Sequence, residues 1–299
     1  MNSDNHQEPF IRKYIFSTDH KWIGIQYGVT SMIFLLFGFI LMMFMRYQLA
    51  YNVNTGLEKD IISPDMYNAL GAMHGTIMVF LGVVPMVVGA FGNYLVPLQV
   101  GAPDMAFPKL NMASYWCYFL GGAVMLASFF IPDLPARSGW TSYVPLATLS
   151  TGSGQTFWLV GMIFLIASSL LGSINILVTI IQLRVKGLTW MRLPFFIWTQ
   201  LITSFLLLLA FPPLQAAAIF QLSDRLIGTG FFDPYAGGSV LLYQHLFWFL
   251  AHPEVYVLIL PALGIVAEII ANNIRKPLWG YKSMVYSVIW LGFMSFIVW

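Results

Sequence analysis

The sequence predicts an all-α fold, a polytopic transmembrane helical bundle, and three observations predict it. Of the 299 residues, 59% are hydrophobic and only 9% are charged, with a mean hydropathy of +0.76. Soluble domains carry about a quarter charged residues, because polar groups must cover much of a surface that faces water. Seven apolar runs reach, or nearly reach, the ~20 helical residues that cross a hydrocarbon core. The alternation of apolar and polar residues that marks barrel strands is absent. A water-soluble domain with one large core is therefore disfavoured, and a net charge of +2 gives no reason to expect nucleic acid as a partner.

Residues 1–21 are polar and hold Asp4, Glu8, Arg12, Lys13 and Lys21. They lack the short apolar core and small-residue cleavage site of a signal peptide, so the first apolar run is expected to insert and stay. Membrane helices are expected near 23–45, 69–97, 113–132, 156–183, 194–222, 242–271 and 284–299, in a single transmembrane domain spanning 1–299 without internal repeats. Several runs exceed one bilayer thickness, which implies tilt or extension beyond the membrane. Pro, Gly and charged residues collect in connections such as 133–142 and 233–239. The single cysteine, Cys117, excludes a disulfide framework and a CxxC metal site.

Basic residues fix the expected orientation. With the N-terminus in the cytoplasm, ten of the 14 Lys and Arg residues fall on inner segments, while Arg46, Lys59, Arg137 and Arg225 fall outside. That asymmetry agrees with the positive-inside rule. Odd-numbered helices then ascend and even-numbered helices descend.

Ionisable side chains inside lipid cost several kcal/mol, so each is a functional candidate. Most lone membrane histidines are interhelical hydrogen-bonding residues, and His245 is read that way. His6 and His20 are expected in water, and Glu268 is expected to snorkel towards the inner surface. His74, in Ala72-Met73-His74-Gly75-Thr76, is different: a planar cofactor could approach over Gly71, Gly75 and Gly82. More specific is His252-Pro253-Glu254-Val255-Tyr256. His252 and Tyr256, four apart, share one helix face, and Glu254 is turned away from both. Pro253 removes a helical hydrogen bond and should kink the helix. An imidazole binds copper or iron well, and a carboxyl on another face can carry a proton. A Pro-kinked helix whose polar groups cap its broken backbone would read the same way, and the residues alone leave the two open.

The stretch Gln244-His245-Leu246-Phe247-Trp248 leading into Ala251-His252-Pro253-Glu254-Val255-Tyr256 resembles the signature of the catalytic subunit, subunit I, of heme–copper respiratory oxidases. So do Ser17-Thr18-Asp19-His20-Lys21, Gly89-Ala90-Phe91-Gly92-Asn93, Gly101-Ala102-Pro103-Asp104-Met105, Gly139-Trp140-Thr141 and Phe231-Phe232-Asp233-Pro234, in the family's order and across nearly the whole chain. The resemblance implies a twelve-helix fold of which about seven helices are present. It implies a low-spin heme, a high-spin heme and a copper ion, Cu-B. His74 matches an axial ligand of the low-spin heme iron and His252 the first Cu-B ligand. Tyr256 matches the tyrosine covalently linked to that histidine, which is thought to supply an electron and a proton when the O–O bond breaks. Glu254 matches the proton-relay carboxyl, and Asp104 the mouth of the D proton channel. Asn93, Asn111 and Asn175 match the asparagines that hold water near that mouth. Arg46 and Trp140 match residues near the low-spin heme and its propionate.

The expected activity is that of an oxidoreductase and translocase: reduction of O2 to water with electrons from cytochrome c, coupled to proton pumping in a respiratory membrane. The bacterial plasma membrane is favoured over the mitochondrial inner membrane, with subunits of types II and III as partners. Quinol-oxidising relatives carry a polar cluster just before the helix 2 histidine, whereas this stretch ends in Asn68-Ala69-Leu70. Tyr256 disfavours nitric oxide reductases. A proton-coupled transporter without redox centres would leave the signatures unexplained. Ala251 replaces a glycine common in the family, and Gln48 replaces the glutamate of a peripheral calcium or sodium site. The chain stops at Trp299, where the family continues into two further Cu-B histidines. It is therefore expected to be a fragment, inactive alone.

Overall fold

A computed structural model describes residues 9–55, 61–150 and 152–299; His6, expected in water, and Lys59, assigned above to the outer face, lie outside them. Among the described residues, seven long helices organise the molecule and no strand occurs. They are α1 (His20–Thr55), α2 (Pro64–Val100), α3 (Pro108–Ala127), α4 (Gly154–Gln182), α5 (Phe195–Ile227), α6 (Val240–Asn273) and α7 (Tyr281–Val298). Helices dominate because hydrocarbon offers no partner to backbone N–H and C=O groups, and a helix satisfies its own. All but α3 are long and apolar enough to cross a membrane, and the chain is a multi-pass membrane protein. Seven such spans were expected. In α3 the early turns carry Lys109, Asn111, Ser114, Tyr115 and Trp116, which lower its hydropathy although its length is sufficient.

Local signals set the ends. α2 begins at Pro64, ahead of the expected 69, because Ser63 caps it: the hydroxyl accepts the Met66 N–H at 3.2 Å, and proline is tolerated in a first turn. It ends at Gly101, whose φ of +75° lets the Ala102 N–H return to the Pro97 carbonyl. α3 starts at Pro108 and ends at Ala127, earlier at both ends than the expected 113–132, again with proline in its first turn. Within α2, Ile77–Val83 and Pro85–Ala90 are wound as π-helix. Pro85 lacks the N–H that an α-turn would use, and π-turns are a common way to absorb such a break. α6, by contrast, stays one continuous α-helix through Pro253 and Pro261.

Neighbouring helices run antiparallel. Gly24 lies against Ala90 and Tyr94, and Gly38 against Met78, pairing α1 with α2. The Phe107 backbone and Asn175 pair α3 with α4, as do Gly121 and Gly161 further along. Thr199 packs on Gly264, pairing α5 with α6. One end of the bundle therefore holds His20, Asp104, Asn175 and Glu268. The other holds Arg46, Trp140 and Arg225, and is tied by loops. There Arg225 donates to the carbonyls of Ala147, Ser150 and Gly152, and Arg137 pairs with Asp65 at 3.1 Å. Asp133 accepts the Ser153 N–H and hydroxyl, which hold its carboxyl below the usual range.

α3 and α4 pack tightly at Gly121, where an added Cβ would sit 2.8 Å from the Gly161 carbonyl oxygen. At Gly172 the same addition would meet only the Ser114 hydroxyl at 3.7 Å. Gly121→Ala is expected to destabilise the protein by about 1–3 kcal/mol, and Gly172→Ala to leave it unchanged or slightly firmer. Thermal unfolding in detergent checks this, and equal melting of the two variants would contradict the packing.

Candidate functional site

α2 and α6 carry the residues of interest. His74 is half-buried near the middle of α2's first half, and its Nδ1 lies 2.8 Å from the Gly38 carbonyl oxygen of α1. A carbonyl can only accept, so Nδ1 carries the proton and Nε2 keeps its lone pair free. The imidazole is thus oriented in the way that metal-ligating histidines usually are. The expected room over the neighbouring glycines is not there. Trp140 fills the space at Gly75, its Cβ 3.1 Å from where a Cβ would stand, and Leu35 fills the space at Gly82. Met45 lies over Gly71, and Arg46, next to it on α1, is exposed.

Trp140 links the two helices. It packs on Gly75, beside His74, and its ring meets Phe247 of α6 edge-on at 5.4 Å. Loop residues around it are pinned as well: Tyr243 donates its hydroxyl to the Thr141 carbonyl at 2.9 Å, and Trp248 donates to the Tyr143 hydroxyl. Further along α6, the His252 and Tyr256 rings lie 4.8 Å apart on one face. His252 Nε2 is buried and makes no hydrogen bond. Glu254 is 2% exposed, and neither of its oxygens has a hydrogen-bond partner. Burying a carboxyl without partners is costly, which sets this side chain apart from ordinary core residues.

The end of the bundle holding Asp104 is arranged differently from the sequence reading. Asp104 is half-buried and accepts the Met105 N–H at 2.7 Å. Asn175 does not leave its amide free. It accepts the Phe107 N–H at 2.8 Å and donates to the Phe107 carbonyl at 3.1 Å, clamping the loop that carries Asp104. Asn111 is fully buried with both side-chain polar atoms unpaired, and Asn93 leaves Oδ1 unpaired. His20, expected in water, is instead 2% exposed and donates from Nδ1 to the Asn93 carbonyl at 2.9 Å. Glu268, expected to reach water, accepts the Phe196 N–H at 2.8 Å and a longer bond from Gln99. It caps α5, whose first N–H groups would otherwise lack partners. Gln48 similarly accepts the Ile62 N–H at 2.9 Å.

Between Asp104 and the level of Glu254 lies a small cavity of about 40 Å³, lined by Tyr27, Asn93, Ser114, Ser168, Ser169 and Leu207 among others. A water needs roughly 10–15 Å³ on this measure and two or more polar partners. Tyr27 bonds the hydroxyls of Ser114 at 2.7 Å and Ser168 at 3.1 Å. The hydroxyls of Ser114 and Ser168 escaped the sequence reading, which weighed ionisable side chains and the residues of the family motifs; their presence inside apolar runs was the available signal. Among the described residues, no group of three or more His, Cys, Asp or Glu could hold a metal ion by itself.

Residues 22–299 match the family described as Cytochrome C and Quinol oxidase polypeptide I. The chain belongs to this family. It is 46% identical over 286 residues to cytochrome c oxidase subunit 1 of Thermostichus vulcanus, covering 96% of the chain and 50% of that protein. Against the same subunit of Bacillus subtilis the identity is 44%, over 96% of the chain and 45% of the relative. The alternative cytochrome c oxidase subunit 1 of Bradyrhizobium diazoefficiens is 42% identical, over 98% of the chain and 51% of its own length. The chain spans about half the length of the curated relatives it matches.

Within this family member, the Asn175 clamp gives a direct test. Asn175→Ala is expected to free the Phe107 amide and speed its hydrogen exchange roughly tenfold or more. Exchange mass spectrometry reads this, and an unaltered rate would mean that the loop is held by something else.

Proposed function

We propose that this chain supplies part of the redox and proton-conducting core of a terminal respiratory oxidase, which reduces O2 to water with electrons from cytochrome c and pumps protons. Glu254 carries the reading. Its carboxyl is sealed from solvent without a protein partner, on the same helix turn region as His252, whose Nε2 is also buried and unpaired.

The donor set fits the cofactors that the family implies. Imidazole nitrogen suits both iron and copper. His74 would hold the low-spin heme iron through Nε2, with its ring oriented by Gly38, and His252 would give Cu-B one of its ligands. When bound, the two hemes and Cu-B carry the electrons and reduce the oxygen. The chain's own side chains do the rest. Tyr256 keeps its phenol beside His252, where it can yield a proton. Trp140, wedged between α2 and α6, closes the site on the side of Arg46 and excludes water. Arg46 offers a positive charge at that end to an acidic group of the low-spin heme.

Protons would enter at Asp104, on the end of the bundle that also carries the N-terminal segment, and Asn175 would keep that loop in place. Asn93 and Asn111, with unpaired polar atoms, would hold water along the route. Glu254 would receive the proton and release it towards the reaction. The excess of basic residues on this end supports a cytoplasmic N-terminus. Bacterial relatives support a bacterial plasma membrane. Oxidase subunits of types II and III are the partners that this reading calls for, with membrane lipid around the bundle.

Three variants of the complete oxidase test the reading. His74→Ala is expected to remove the low-spin heme, and an unchanged reduced α-band would count against that role. Glu254→Gln keeps the shape but not the exchangeable proton, and should slow turnover roughly 10²–10⁴-fold with hemes retained. Normal oxygen uptake by that variant would end the proposal. Asp104→Asn should impair proton uptake from the cytoplasmic side, and pumping at the unmodified rate in vesicles would exclude it as the mouth.

A further inference from the structure

α5 carries no residue of the proposed proton route, yet it holds a run of buried polar groups without partners. Gln200, Thr203 and Ser204 are all fully buried. Gln200 Oε1, Thr203 Oγ1 and Ser204 Oγ make no hydrogen bond. Serine and threonine in a helix can usually return their hydroxyl to the carbonyl one turn back, as Ser223 does to Ile219 at 2.9 Å in the same helix. Thr203 and Ser204 do not. Each unpaired group in so dry a setting costs free energy unless something bonds it.

At 100° per residue, Gln200, Thr203, Ser204 and Leu207 fall within about 100° of the α5 surface. Two contacts say where that surface points. Gln200 donates from Nε2 to the Val87 carbonyl at 2.8 Å, and its Oε1 lies 3.3 Å from where a Cβ on Gly92 would stand. Leu207, at the upper end of the strip, lines the cavity with Asn93, Ser114 and Ser168. The strip therefore starts beside Gly92 and ends at the cavity wall, which Asn93, with its own Oδ1 unpaired, shares.

We propose that this strip is a water-binding site: ordered waters bond Gln200 Oε1, Thr203 Oγ1 and Ser204 Oγ, and run along α5 into the cavity that Leu207 and Asn93 line. Each hydroxyl donates one bond and accepts one, and the amide oxygen accepts, so a file of waters satisfies all three. A proton passing along the file enters the lowest water as one leaves the highest, and no side chain changes its charge. Thr203 and Ser204 are positioning residues. They hold the waters in line and touch no reacting group. This deepens the proposed function and depends on protons climbing from the Asp104 end.

The test uses the intact oxidase with its partner subunits. Thr203→Val keeps shape and removes the hydroxyl, and is combined with Ser204→Ala. The double variant is expected to bind its hemes normally, to turn over roughly tenfold more slowly, as loss of about one hydrogen bond from the barrier would give, and to show a larger solvent deuterium isotope effect. Thr203→Ser should retain the parent rate. A merely structural role would lower stability without moving the isotope effect. A second readout is direct: a high-resolution map of the oxidase should show ordered water within hydrogen-bond reach of Thr203 and Ser204. A dry strip, or a double variant with unchanged rate and isotope effect, overturns the proposal. If Glu254→Gln is also silent, the proton route itself has failed; if Glu254→Gln alone slows turnover, only the α5 site has.

Discussion

The constraint on which the structure depends is the cost of an unpaired polar group in a medium that cannot hydrogen-bond. It forces the backbone into helices, and it decides the fate of each polar side chain. Most are consumed locally. Glu268 caps the start of α5, Gln48 takes the Ile62 N–H, Asn175 clamps Phe107, and Arg225 gathers the carbonyls of the loop around Ala147. Others keep an unpaired buried atom, among them His252 Nε2, both Glu254 oxygens, the Asn111 amide and the α5 hydroxyls, and also Trp116 Nε1 and Ser138 Oγ. The same physical rule therefore marks which side chains complete the fold and which still have bonding capacity to spare.

That separation was only partly legible in the sequence. The transmembrane class, the helical bundle and the family followed from composition, apolar runs and the motif around His252. Hydropathy alone could not place His20 or Glu268. His20 was read as reaching water, whereas it is buried against the Asn93 carbonyl; Glu268 does stay half-exposed at its end of the bundle, but its bond to the Phe196 N–H was not foreseen. Such partners are remote in sequence, so no local pattern announces them. The room imagined over Gly75 and Gly82 failed for the same reason: Trp140 and Leu35 arrive from other parts of the chain.

The candidate site shows the converse. The four-residue spacing of His252 and Tyr256 survives intact as a ring contact, because both sit on one unbroken helix. Spacing along a single helix carries over into space, whereas spacing across a loop does not. α3 was placed late by its apolar run, since Pro108 started the helix among polar residues that a hydropathy argument discounts. Polar hydroxyls within apolar runs, such as Ser114 and Ser168, were visible but gave no hint of the shared partner Tyr27.

The π-wound turns of α2 have a consequence for how this helix varies. Each such turn amounts to one residue inserted into an α-helix without disturbing its flanks. A helical wheel phased on His74 therefore misassigns the faces of residues beyond Ile77, Asn93 included. By the same geometry, removal of one residue from each π-wound stretch, Ile77–Val83 and Pro85–Ala90, would restore regular winding while leaving both ends in register. Length polymorphism, normally forbidden inside a membrane span, has a natural home there.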